Sequence, residues 1–167
     1  RSAEVWLFNS QLYDGNALTT LLRNVWLQLS VLGFAGDPSW RSNYADLPLL
    51  HPLEAAFFWL GVLALLYHWR RAASRLLLLW LLVFLAPAVF SYDLPRNTFR
   101  MLAMAPAIYL TLGYGCWVAA SFLARLASRR TQRAGQAVYA LLAAAVALLI
   151  GGRAAWSADL LFNRWAH

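Results

Sequence analysis

The sequence predicts an all-α, polytopic membrane protein with four transmembrane helices and an N-terminal interfacial amphipathic helix. Three observations predict it. Residues are 62% hydrophobic and only 13% charged, with mean hydropathy +0.54, where a soluble domain is usually about 25% charged. Four separate stretches are apolar enough to span a bilayer. The seven acids, Glu4, Asp14, Asp37, Asp46, Glu54, Asp93 and Asp159, fall on one side of those spans, while seven of the fourteen arginines fill two short loops on the other.

The first 51 residues are read as an extracytoplasmic segment. Between Asn16 and Gly33, residues Leu18, Leu21, Leu22, Val25, Trp26, Leu29 and Leu32 recur at helical spacing, with Thr19, Arg23, Asn24, Gln28 and Ser30 on the other face. Asp14 or Asn16 can accept the first free N–H groups, and Gly33 or Gly36 can end the helix. Flanked by extracytoplasmic sequence, it is expected to lie flat on the outer leaflet. A helix packed on an outer soluble domain is the alternative.

The four spans, Leu53 to Trp69, Leu76 to Tyr92, Met101 to Ala124 and Ala134 to Gly152, approach or exceed the roughly 17 residues that cross ~30 Å of hydrocarbon. They occupy a transmembrane domain at 52–152, followed by an extracytoplasmic tail at 153–167. Arg70, Arg71 and Arg75 lie in one connecting loop and Arg125, Arg129, Arg130 and Arg133 in another, with no acid in either. Such short loops stay cytoplasmic, which puts both termini outside. Trp69 and Trp80 are then expected at the inner interface, and Trp40, Trp156 and Trp165 on the outer side. Trp59 and Trp117 are expected to fill helix packing, and Pro87 and Pro106 to bend the second and third spans. Small residues at four-residue spacing, Thr111, Gly115 and Ala119 on the third span and Ala140, Ala143 or Ala144, Ala147 and Gly151 on the fourth, let backbones approach closely in lipid.

The net charge of +7 and pI near 10.3 do not point to nucleic acid, because the arginines sit at the ends of apolar runs rather than along one soluble face. Anionic headgroups suit them better. Cys116 stands alone within an apolar run, so the sequence offers no disulfide and no cysteine metal site. His51 and His68 stand at opposite ends of one span and His167 is terminal, so no cofactor or metal is expected. A chain opening on Arg1, with no early apolar segment, is expected to be the C-terminal part of something longer.

Two polar clusters carry the candidate chemistry. Asp37, Arg41 and Asn43 lie before the first span; Asp93, Arg96 and Arg100 lie between the second and third. Arginine offers a planar fork to phosphate oxygens and aspartate accepts sugar hydroxyls, so the two clusters could hold a lipid phosphate or a sugar at the outer leaflet. Asp-to-Arg bridges that fix loop geometry are the alternative. Glu54 suits the N-terminus of its helix.

Taken with Pro48-Leu-Leu-His-Pro52, Leu60-Gly61, Arg75-Leu-Leu-Leu-Leu-Trp80, Asp93-Leu-Pro95, Arg100 and Pro106, the run Asp37-Pro-Ser-Trp-Arg-Ser-Asn43 resembles the later part of bacterial membrane glycosyltransferases of the GT-C type. These are relatives of protein O-mannosyltransferases and aminoarabinose transferases. The similarity spans roughly residues 16 to 124. It implies a polyprenyl-phosphate-sugar donor at the outer leaflet of the bacterial inner membrane. The family's catalytic Asp lies in an early extracytoplasmic loop that nothing here matches, so no catalytic residue carries over. Two functions fit: a C-terminal, non-catalytic portion of such a transferase, engaged in lipid binding and scaffolding, or an accessory subunit of a larger respiratory or photosynthetic electron-transfer complex. Expected partners are membrane lipids and either other membrane subunits or a missing N-terminal half.

Overall fold

The computed structural model describes residues 17–36, 47–90, 99–128 and 132–165. These residues are helical throughout apart from turns and short links, with no strand among them. In order come α1 (Ala17–Val31), α2 (Pro52–Tyr67), α3 (Ala72–Val89), a six-residue 3-10 segment (Phe99–Met104), α4 (Ala105–Ser128), α5 (Gln132–Asp159) and a π-helical turn (Leu160–Trp165). Three stretches are long and apolar enough to cross a membrane: Ala72–Val89, Leu102–Ser128 and Gly135–Asp159. The first expected span is shorter than the rest. At 16 residues, α2 rises only about 24 Å against ~30 Å of hydrocarbon. The fourth is longer than expected, for α5 runs without a break past Gly152 and through Arg153 to Asp159.

Contacts group the chain into two units, Arg1–Gly115 and Cys116–His167, the division falling within α4. In the first unit, the core gathers Val31, Leu32, Leu50, Ala55, Phe58, Leu81, Ala88, Met104, Ala107 and Ile108. Local chemistry sets the ends of these elements. Pro52 stands at the start of α2, where its missing N–H costs nothing, and the Glu54 carboxylate reaches back to accept the His51 N–H at 2.7 Å. At the other end the His68 N–H closes on Ala64 O at 3.0 Å. The segment entering α2 is tied to α1 by the Leu49 N–H donating to Val31 O at 2.9 Å. Gly33, after α1, is buried where an added Cβ would meet the Ala55 side chain at 2.5 Å.

One proline expectation changes. Pro106 is the second residue of α4, because residues 99–104 are wound as a 3-10 segment rather than as the start of the span. In a first turn it leaves no hydrogen bond broken, so it begins a helix instead of bending one. Pro87 lies within the last turn of α3, and the Phe90 N–H closes that end on Ala86 O at 2.9 Å.

The second unit is held more sparsely. Tyr139 Oη donates to Ser121 Oγ at 3.4 Å, and a Cβ on Gly135 would lie 3.2 Å from Ser128 Cβ. Among the described residues of α5's apolar window none is buried. A Cβ added at Gly151 or Gly152 would meet nothing within 4 Å beyond its own helix among the described residues, and Ala140, Ala143, Ala144 and Ala147 are exposed. The expected small-residue row on this helix is exposed among the described residues of the second unit. Trp117, expected in packing, is exposed, whereas Trp59 packs against the core of the first unit.

Candidate functional site

The C-terminus of α3 is where the chain spends its polar side chains. A helix leaves its last four carbonyls without intrahelical donors, and in hydrocarbon no water replaces them. Here α1 supplies donors. Asn24 Nδ2 reaches Val89 O at 3.1 Å and Gln28 Nε2 reaches Ala88 O at 3.3 Å. The two amides are four residues apart, so one face of α1 presents both.

The consequence mixes the two expected faces of α1, for Leu32 is buried and Leu29 packs on the core on the same side as the amides. Gln28 is 1% exposed and Ser30 is buried, Ser30 Oγ donating to Leu27 O at 2.7 Å, while Leu18, Leu22 and Trp26 stand outward, Trp26 at 67% exposure. Asn24, Gln28 and Ser30 belong to the face opposite the apolar row by spacing. They turn inward because a bare helix end offers them acceptors that an apolar face cannot use. Arg23 is exposed beside the Leu18, Leu22 and Trp26 row, which leaves an outward face of aliphatic, indole and guanidinium groups. Gln28 Oε1 is buried without a hydrogen-bond partner among the described residues.

A second constellation lies where α2 meets the first half of α4. A Cβ on Gly61 would run into the Thr111 carbonyl, and one on Gly115 would run into the Phe57 carbonyl, with Gly61 N at 2.8 Å. The backbones touch, as the Thr111 and Gly115 spacing predicts. Thr111 is fully buried with its Oγ1 unpartnered among the described residues. Beyond this crossing, His68 Nδ1 lies 2.9 Å from Ala64 O and 3.3 Å from Tyr114 Oη. An Nδ1–H donor shared between these two oxygens satisfies both distances and leaves Nε2 as the free acceptor.

Trp80 was expected at the inner interface. It is the ninth of the eighteen residues of α3, and its Nε1 donates to Ala103 O at 3.1 Å. An indole N–H at mid-helix would be unsatisfied in lipid, and the carbonyl of the 3-10 segment meets it there.

Of the six candidate contacts, Asp37, Arg41, Asn43, Asp93 and Arg96 lie outside the described residues; Arg100 belongs to the 3-10 segment, and only its backbone is described. The carboxylates among the described residues are Glu54, which accepts from His51, and Asp159, which accepts from Asn163 Nδ2 at 2.9 Å. No group of three or more His, Cys, Asp or Glu among the described residues could hold a metal ion. Reading by residue type missed Asn24 and Gln28. Their four-residue spacing on a helix preceding an apolar bundle is the signal that could have found them. Compared with family models, curated proteins and solved structures, the chain matches none.

Proposed function

We propose that this chain is the non-catalytic membrane portion of a larger protein or assembly in the bacterial inner membrane, binding lipid and scaffolding its neighbours, as its resemblance to the C-terminal part of GT-C glycosyltransferases implies. The observation that carries the reading is the apolar surface. Leu76, Leu79, Leu82 and Val83 on α3, Leu141 and Leu148 on α5, and α5's window as a whole are left uncovered. Apolar surface of this extent on each helix is stable only against lipid or another apolar subunit.

In this reading α2 to α5 cross four times, with both termini outside and the arginine loops at residues 70–75 and 125–133 inside. The short α2 crosses with His51 and Trp69 at headgroup depth, the bilayer thinning around it at a modest cost per ångström. α1 lies in the outer interface, with Leu18, Leu22 and Trp26 toward the acyl chains and Arg23 toward phosphate. Asp37, Arg41, Asn43, Asp93, Arg96 and Arg100 are the proposed contacts to a lipid phosphate or a sugar.

Purified chain supplied with a polyprenyl-phosphate sugar and mixed acceptors tests the non-catalytic claim. No transfer is expected. Turnover that Asp37→Asn or Asp93→Asn abolishes would overturn it and locate the base.

A further inference from the structure

Where α2 turns into α3, six residues hold three guanidiniums, two of them, Arg71 and Arg75, in positions that oppose the local electrostatics. Arg70 and Arg71 lie in the turn and Arg75 in the first turn of α3, and all three are exposed. Arg71 is the residue that caps α3, yet its side chain makes no capping bond and the first turn holds no acid. A helix N-terminus carries a partial positive charge, so cations there are unfavourable. Arg71 and Arg75 are also four residues apart on one helix face, where like charges repel. No carboxylate occurs anywhere from Ala55 to Tyr92 to relieve them. Keeping arginines on the cytoplasmic side of a membrane requires none of this crowding. Residues a few positions away would serve as well.

The turn itself is well closed. The Arg71 N–H donates to His68 O at 2.9 Å and the Arg75 N–H to Arg71 O at 3.1 Å, so the charges are held together by ordinary backbone bonds rather than scattered along a slack loop. Tyr67, 84% exposed, and Trp69, 60% exposed, flank them. Exposed Tyr and Trp beside an apolar span mark headgroup depth. At that depth the abundant anion is lipid phosphate, which arginine binds as a planar fork.

We propose that Arg70, Arg71 and Arg75 form a binding surface for the phosphate of an anionic phospholipid, with Tyr67 and Trp69 seated among the neighbouring headgroups. The bound phosphate supplies the counter-charge that this stretch of sequence lacks. The proposal rests on the membrane reading above but not on which face of the membrane the turn occupies.

The test uses the full chain. Extraction from membranes by uncharged detergent, and not by alkaline carbonate, checks the membrane reading first; a chain released by carbonate would overturn both. The detergent-purified chain is then titrated with phosphatidylglycerol or phosphatidylcholine, and bound lipid is counted by native mass spectrometry. Phosphatidylglycerol is expected to bind about a hundredfold more tightly, roughly fivefold for each of the three arginines. R70Q/R71Q/R75Q should bring the two lipids to parity, while R125Q, on the other arginine loop, should retain the preference of the unaltered chain. Measured without added lipid, the thermal midpoints of R71Q and R75Q should equal or exceed that of the unaltered chain, because each relieves a like-charge pair. A structural role would lower them. Equal binding of both lipids, a preference that survives the triple substitution, or displacement of the lipid by millimolar glycerol phosphate, which would mark a general anion patch, would each overturn the proposal.

Discussion

Gly115→Ala is the substitution whose effect the structure defines most narrowly. The added Cβ would lie 2.8 Å from Gly61 N and 2.9 Å from the Phe57 carbonyl carbon, and nearer still to the Phe57 carbonyl oxygen. Carbon prefers more than ~3 Å from such neighbours, and the Phe57 carbonyl oxygen, the nearest of the three, sets the shift, so α4 must retreat from α2 by more than ~1 Å locally, which forfeits about half of each contact's dispersion energy. All the atoms in the way are backbone, which no rotamer change can move. Overpacking of this kind costs about 1–3 kcal/mol. Gly113, two residues earlier in the same helix, has nothing within 4 Å of its Cβ position, and Gly→Ala there should instead gain roughly 0.5–1 kcal/mol of helix propensity. The assay is the thermal midpoint in mild detergent, followed by thiol labelling of Cys116, the chain's one cysteine. Gly115→Ala should melt about 2–12 °C below the unaltered chain and Gly113→Ala at or above it. Equal midpoints for the two, or a higher one for Gly115→Ala, would refute the close crossing of α2 and α4.

Other expectations follow from the same contacts. Asn24→Ala leaves the Val89 carbonyl without its donor and should cost about 1–3 kcal/mol; Gln28→Met should cost less, because it also removes the buried unpartnered Oε1, and the two midpoints measured side by side test this order. Cysteines placed singly along α1 should label at positions 19 and 23 and resist both at 18, 22 and 26, toward the acyl chains, and at 28 and 31, toward the core; uniform labelling would contradict the helix. Reporter fusions at Ala72 and Thr131 should read as cytoplasmic, and a periplasmic signal at either would break the proposed topology.

Apolar stretches and arginine spacing made the helices legible, because both follow directly from what a bilayer dissolves. The α2–α4 contact was legible in part: Thr111 and Gly115 announced a close-approach face, but nothing in the sequence named Gly61 as the surface it meets. Pro106 misled because a proline reads the same whether it interrupts a helix or begins one, and the 3-10 winding of residues 99–104 decides which. Trp80 misled because interfacial preference is a statistical property of indoles, whereas a single acceptor such as Ala103 O holds one at mid-helix. The inward turn of Asn24 and Gln28 was hidden for a related reason. Hydrophobic periodicity counts amides as solvent-seeking, yet an uncapped helix end in an apolar surround is as good a partner as water. The candidate phosphate and sugar contacts came from residue type alone, and five of the six fall outside the described residues.

The clasp between α1 and the end of α3 also bears on how the protein responds to membrane thickness. Under the interfacial reading of α1, a helix that floats at the surface is fastened through Asn24 and Gln28 to the last carbonyls of one that crosses. α3 spans 18 residues, or about 27 Å, slightly less than a typical hydrocarbon core, so a thicker bilayer would draw its end below the headgroups. α1 resists that descent, since sinking would carry Arg23 into the acyl region. The pair thus behaves as a float on a line, fixing the depth of one end of α3 and leaving its arginine-bearing end, with the bilayer beneath it, to take up the mismatch.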